Sequence, residues 1–178
     1  MNITLIGMPG AGKSLVGQAL ARRLGWAFLD VDPLIVSHHH AKNLQQVLDT
    51  LGNQRFVDAE ADVISQLSCD HTVIAPGGSA VPRDKGMERL KALGPVIYLS
   101  LPCAELKRRL GNLATRGVSL EPGQTLDDLY AYRRPYYQRW ADVTVDTSHC
   151  SIPQAAERIV SALDKEVLPK PQISHKGC

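Results

Sequence analysis

Residues 7–14 read Gly7-Met8-Pro9-Gly10-Ala11-Gly12-Lys13-Ser14, and this stretch decides what can be built around it. It satisfies G-x-x-x-x-G-K-[ST]. A short apolar run, NITLIG, precedes it, and Lys13 to Leu24 follows with Val16, Leu20 and Leu24 on one helical stripe. Glycines let the backbone curl so that successive N–H groups face an anion, and the helix N-terminus adds its dipole. Gly10, Ala11, Gly12, Lys13, Ser14 and Leu15 are the expected nucleotide contacts. Lys13 should reach the β- and γ-phosphates while the Ser14 hydroxyl ligates Mg²⁺. The alternative, a glycine-rich turn without function, does not account for Lys-Ser between a strand and a helix. The expected donor is a nucleoside triphosphate.

Outward from this loop, short apolar runs alternate with stretches of helical period. WAFLD, HTVIAPGG, PVIYLSL and ADVTVDT read as four further strands. Helical patterns fall at Asn43 to Leu51, Gln54 to Leu67, Asp84 to Leu93, Ala104 to Leu110, Leu126 to Arg139 and Ile152 to Leu163. Such alternation argues for a parallel sheet with helices on both faces, its strands short and apolar because both faces are covered. Residues 1–165 are expected to form a single domain. Residues 111–125, GNLATRGVSLEPGQT, are the longest non-periodic internal segment and a candidate lid. Residues 166–178, with two prolines and no periodicity, are an expected disordered tail.

Composition narrows the classes. The 178 residues are 44% hydrophobic and 21% charged, which suits a globular domain with a proper core. A formal net charge of +2 gives no reason to expect nucleic acid or membrane as partner. No apolar run approaches the roughly 18 residues a span needs, and the N-terminus reads as a strand without a basic leader. Cys69, Cys103, Cys150 and Cys178 lack CxxC spacing, so reduced thiols in a cytoplasm are the default. His38 to His40 are adjacent in sequence, so they point in different directions and read as an exposed turn rather than a metal site. The expected partner is a small molecule, and the expected state a monomer.

Ligands in open parallel sheets gather at the carboxyl ends of the strands, and three further features fall there. Asp30 and Asp32 close the second strand as D-V-D, and alternate strand positions point the same way. One carboxylate can hold Mg²⁺ and the other accept a hydrogen bond from a substrate hydroxyl; a helix-capping aspartate is the competing reading. Gly77-Gly78 ends the third strand, either as a bare wall that a ligand approaches or as a tight turn. Arg116 lies in the candidate lid, and Arg133-Arg134 on the helix after it, where exposed arginines are often merely solvated.

Taken in order, GxxxxGKS, D-x-D, Gly-Gly, lid arginine, R-x-P-x-Y and A-D-x-x-V-D, the chain resembles the shikimate kinase family over about residues 1 to 163. The resemblance implies a three-layer αβα P-loop kinase fold with a five-stranded parallel sheet in the order 2-3-1-4-5. It also implies ATP- and Mg²⁺-dependent phosphorylation of the 3-hydroxyl of shikimate. By position it assigns Ser14 and Asp30 to the metal, Asp32 to the acceptor hydroxyls, and Gly77 and Gly78 to substrate. Arg116 would reach the phosphates and Arg133 would grip the shikimate carboxylate, with Arg109 and Pro153 flanking the adenine. Lys13, Asp32 and Arg116 are the implied catalytic residues. Related scaffolds phosphorylate sugar acids, amino-acid alcohols or nucleotides, and a nucleotide-dependent switch is the non-catalytic alternative.

Two departures bear on the acceptor. The family's F-R-x-x-E, whose arginine also binds the carboxylate, is here Phe56-Val57-Asp58-Ala59-Glu60. Arg55 lies about 200° around the helix from Val57 and is no obvious substitute. Losing one charge-assisted partner in a dry site costs roughly 1.5–3 kcal/mol, or about 10- to 150-fold in affinity. The family's triple glycine is Gly77-Gly78-Ser79, and its lid sequence R-P-L-L is R-G-V-S.

Overall fold

Five parallel strands form one sheet in the computed structural model of the chain, which describes residues 1–110 and 123–166. They are β1 (Ile3–Ile6), β2 (Ala27–Asp30), β3 (Thr72–Ala75), β4 (Val96–Ser100) and β5 (Val143–Asp146), in the spatial order β2-β3-β1-β4-β5. The register pairs Ile3 with Val73, Thr4 with Val96, Phe28 with Val73 and Tyr98 with Thr144. Seven helices accompany them among the described residues: α1 (Lys13–Leu24), α2 (Asp32–His38), α3 (Leu44–Ser65), α4 (Asp84–Leu93), α5 (Cys103–Leu110), α6 (Leu126–Trp140) and α7 (Ile152–Glu166).

The layers follow from chain direction. Crossovers between parallel strands are right-handed. The step from β1 out to β2 runs one way along the sheet, while β2 to β3, β3 to β4 and β4 to β5 run the other. Helix α1 therefore covers one face, where it packs on α7, and α3, α4 and α6 cover the opposite one, with α3 against α4 and α6 over β4. The three-layer αβα order expected from the resemblance is the order observed.

Position in the sheet decides strand composition. Strands β1 and β3 are buried at every residue, being central and covered on both sides. The edge strands differ from the expectation of uniformly covered strands. β5 alternates buried Val143 and Val145 with exposed Thr144 and Asp146, and β2 is only partly covered. Tyr137 of α6 stacks on Tyr98 of β4 with ring centroids 5.1 Å apart, fixing α6 over the sheet.

Local sequence accounts for most helix boundaries. Thr125 caps α6 in a reciprocal box with Asp128, and Gly25 in the left-handed region ends α1. The two helical patterns at 43–51 and 54–67 are one element, α3, broken at Gly52, whose φ of 72° and ψ of 165° no helix tolerates. Asn43 opens α3 by accepting the Gln46 N–H. Helix α2 is absent from the sequence reading. It is about two turns long, too short for periodicity, and its signal is Asp32-Pro33 in the first turn. The histidine turn is its exit: His38 ends α2, His39 is the C-cap and half-buried, and exposed His40 has a φ of 51°. The lid at 111–125 lies outside the described residues except for its last three, and the tail expected at 166–178 lies outside them after Glu166.

Candidate active site

The loop between β1 and α1 is the first wall of the site. Gly12 is the N-cap of α1 at φ 92°, a left-handed conformation that favours glycine, and it brings no side chain to the helix amides. Those N–H groups remain for a ligand anion. Lys13 Nζ donates to the carbonyls of Gly7 at 2.9 Å and Met8 at 3.3 Å, folded along its own loop. Burial lowers its pKa to about 8, against the opposing pull of the Asp32 and Glu60 carboxylates.

Asp30 and Asp32 stand at the carboxyl end of β2. Asp30 Oδ2 accepts the Ser14 hydroxyl at 2.9 Å, and its Oδ1 accepts the Asp32 backbone N–H at 3.2 Å. Asp30 therefore meets the first backbone N–H of α2 from just before the N-cap, Val31, while facing the loop. The Ser14 hydroxyl and the Asp30 carboxylate are hard oxygen donors in contact, a pair that fits Mg²⁺. Burial raises the Asp32 pKa, and the Asp30 charge raises it further. A carboxylate so placed is a better proton acceptor than an exposed one.

A further wall, against Pro9 of the loop, is Gly77-Gly78 with α6. These glycines are bare for a reason the sequence did not disclose. A Cβ on Gly77 would lie 2.5 Å from Glu60 Oε1, and one on Gly78 would lie 2.8 Å from Pro9 Cδ. The excluded space belongs to the protein's own side chains. Tyr137 donates its hydroxyl to the Gly78 carbonyl at 2.8 Å and fixes the turn from behind. Arg133 is 7% exposed, and its Nε is buried without a hydrogen-bond partner. A guanidinium so held is poised for an anionic group that enters from the cavity.

These walls enclose one cavity of about 850 Å³. Gly10 to Leu15, Asp30, Asp32, Gly77, Gly78, Arg109 and Arg133 all line it, so the site residues drawn from distant segments converge. Arg109, Thr147, Cys150, Ser151 and Ile152 also line it. Arg109 is held by Glu105, to which it donates at 2.6 Å. Pro153 is not part of this lining: it lies exposed in the first turn of α7, and its neighbour Ile152 faces the cavity instead. Val57 is not in the main cavity either. It lines an adjoining pocket of about 320 Å³ that shares Ser79 and Arg133 with the first. Arg116 lies outside the described residues.

Sequence reasoning missed several members. Leu44, Gln45 and Leu48 of α3 form part of the wall, as does Phe56. Glu60 is 0% exposed behind Gly77, its Oε2 accepting the Ser79 hydroxyl at 2.5 Å and its carboxylate facing the Gly77 backbone N–H. Burial raises its pKa to about 7, although the Ser79 hydrogen bond opposes that shift. A signal was present: Phe56, Glu60, Val63, Ile64 and Leu67 share one helical stripe, and an acid on an apolar stripe needs a partner.

Residues 9–164 match the family model described as shikimate kinase. A shikimate kinase of Pseudomonas aeruginosa is 36% identical over 168 residues, covering 93% of this chain and 97% of that protein. The solved structure of a shikimate kinase from Acinetobacter baumannii in complex with shikimate superposes with a TM-score of 0.84 at 33% identity, covering 94% of this chain and 95% of that one. Human threonine synthase-like 1 is 32% identical over 166 residues, and there the match covers 92% of this chain. The chain spans only 22% of that protein's length.

Proposed function

The chain belongs to the shikimate kinase family, and from that membership we propose that it transfers the γ-phosphoryl group of ATP to the 3-hydroxyl of shikimate. One observation carries this reading: a single cavity is lined both by a phosphate loop and by Asp32, Gly77, Gly78 and buried Arg133. Phosphoryl transfer needs alignment and charge neutralisation more than a strong base. Arg133 would bind the acceptor's carboxylate and so aim its ring at the loop. Asp32 would orient the hydroxyl and take its proton as the new P–O bond forms and the bond to ADP breaks. Lys13 would leave the Gly7 and Met8 carbonyls for the triphosphate. Ser14 and Asp30 would hold Mg²⁺, which supplies charge neutralisation of the phosphates when bound. Arg116 is assigned to the transferring phosphate, with residues 111–125 closing over the site to exclude water.

The same proposal takes residues 1–165 as one kinase domain acting as a cytoplasmic monomer. Cys69, Cys103 and Cys150 are unpaired thiols, and no helix among the described residues is long and apolar enough to cross a membrane. A second reading, another small hydroxylated acceptor, is favoured by the valine at position 57 and the pocket beside it. An ADP-release assay separates the two, run with shikimate, sugar acids, amino-acid alcohols and nucleoside monophosphates. Turnover stimulated by shikimate above water hydrolysis is expected. Stimulation by a different acceptor alone selects the second reading, and no stimulation by any acceptor selects a nucleotide-dependent switch.

A further inference from the structure

The Glu60 carboxylate is a buried hub of the acceptor side. It comes from α3 and lies behind the glycine wall, with Oε1 within the space a Gly77 side chain would take. The charged groups that act on it are Lys13 from α1, Asp32 from α2 and Arg133 from α6. A carboxylate in such a position holds its neighbours in place only if something fixes its own orientation. Residue 57 is one turn before it on α3, the helical neighbour from which a donor would reach it, and that residue is valine. The donor comes from elsewhere: Ser79, 8% exposed, turns its hydroxyl inward to Glu60 Oε2 at 2.5 Å.

We propose that Ser79 is a positioning residue of the acceptor site, acting through Glu60 to hold the Gly77-Gly78 wall and Arg133 in the geometry that receives the acceptor. Serine in the third position of the glycine run and valine at position 57 are then two halves of one exchange. The donor to Glu60 stands on the turn after β3 and not on the helix. Ser79 lines both the main cavity and the pocket beside Val57, at the seam where such an exchange has to act.

The kinetic part of the test rests on shikimate being the acceptor; the spectroscopic part does not. Ser79→Ala is expected to raise the shikimate KM about tenfold while the ATP KM stays within about twofold, the loss of one charge-assisted hydrogen bond. The acid limb of kcat/KM for shikimate should move to higher pH, because Ser79 holds down a carboxyl that burial raises. Ser79→Thr, which keeps the hydroxyl, should restore both. In carboxyl-labelled protein, with Glu60 assigned through Glu60→Gln, Ser79→Ala should raise the Glu60 titration midpoint and shift the Gly77 and Gly78 amide resonances. An unchanged acceptor KM in a shikimate-active enzyme overturns the proposal, whatever the titration does. If the wild-type protein ignores shikimate, the proposed acceptor is wrong, and the spectra decide alone. Unmoved Glu60, Gly77 and Gly78 signals then refute the positioning role, and shifted ones support it.

Discussion

The phosphate end and the acceptor end of the site, which meet where Gly78 packs on Pro9, are built by different rules. The phosphate end is one continuous stretch, Gly7 to Ser14, whose ligand groups are backbone amides and whose geometry is set by a glycine at φ 92° and a helix start. The acceptor end is assembled from α2, α3, the turn after β3 and α6, and its polar groups owe their behaviour to burial. An amide cradle needs only that its few residues stay as they are. A pocket of side chains can exchange one donor for another, as Val57 and Ser79 indicate, provided a buried charge is never left unpaired.

Breaking the phosphate end should give the largest effect. Lys13→Ala is expected to lower kcat by about a thousandfold or more, as read by single-turnover transfer from ATP, since the charge it neutralises develops in the transition state. Arg116→Ala should lower turnover by about a hundredfold while the ATP Kd from calorimetry changes only a few-fold. Equal losses in both would remove Arg116 from the transition state. Arg133→Ala tests the acceptor end alone, with a rise of about 10- to 150-fold in shikimate KM and little change in that for ATP.

Smaller effects sharpen the contrast. Gly77→Ala places a methyl against the Glu60 carboxylate, so thermal unfolding should show a loss of roughly 1–3 kcal/mol even without ligand. If Gly77 were bare only for the ligand's sake, stability would not change. A further signal is in pH. Glu60 holds its proton to about pH 7 when folded, against an ordinary value of 4.5. Between those values the folded state binds a proton that the unfolded chain has released, so this contribution to stability falls as pH rises through the window. Melting curves should show the wild-type protein losing stability relative to Glu60→Gln over that window, with parallel curves refuting the assignment.

What the sequence disclosed follows the same division. The strand order came through a resemblance carried by loop residues, and the alternation of elements was legible because buried strands are apolar and helices periodic. Helix α2 was not, since seven residues cannot show a period. The convergence of Asp32, Gly78 and Arg133 on one cavity was anticipated by position, and the cavity contains all three. Pro153 was placed one residue away from Ile152, which faces the cavity, because a helix start fixes which way each side chain points only once its first turn is seen. Glu60 was passed over because its significance is three-dimensional: neither Gly77 nor Ser79 is near it in the chain. The bareness of Gly77 and Gly78 has a further cause that no sequence pattern shows, the side chains of Glu60 and Pro9 packed behind them.

The break at Gly52 separates two tasks along a single rod. Ahead of it, Leu44, Gln45 and Leu48 shape the chamber's side, joined by Phe56 from beyond it; also beyond it, Glu60 is held behind Gly77 by the Ser79 hydroxyl. Insertions, swaps or a new pitch in the leading arm can therefore resculpt what the chamber admits while the trailing arm keeps its carboxylate in register. A single residue gives descendants of this scaffold a seam along which selectivity can be retailored without disturbing the chemistry.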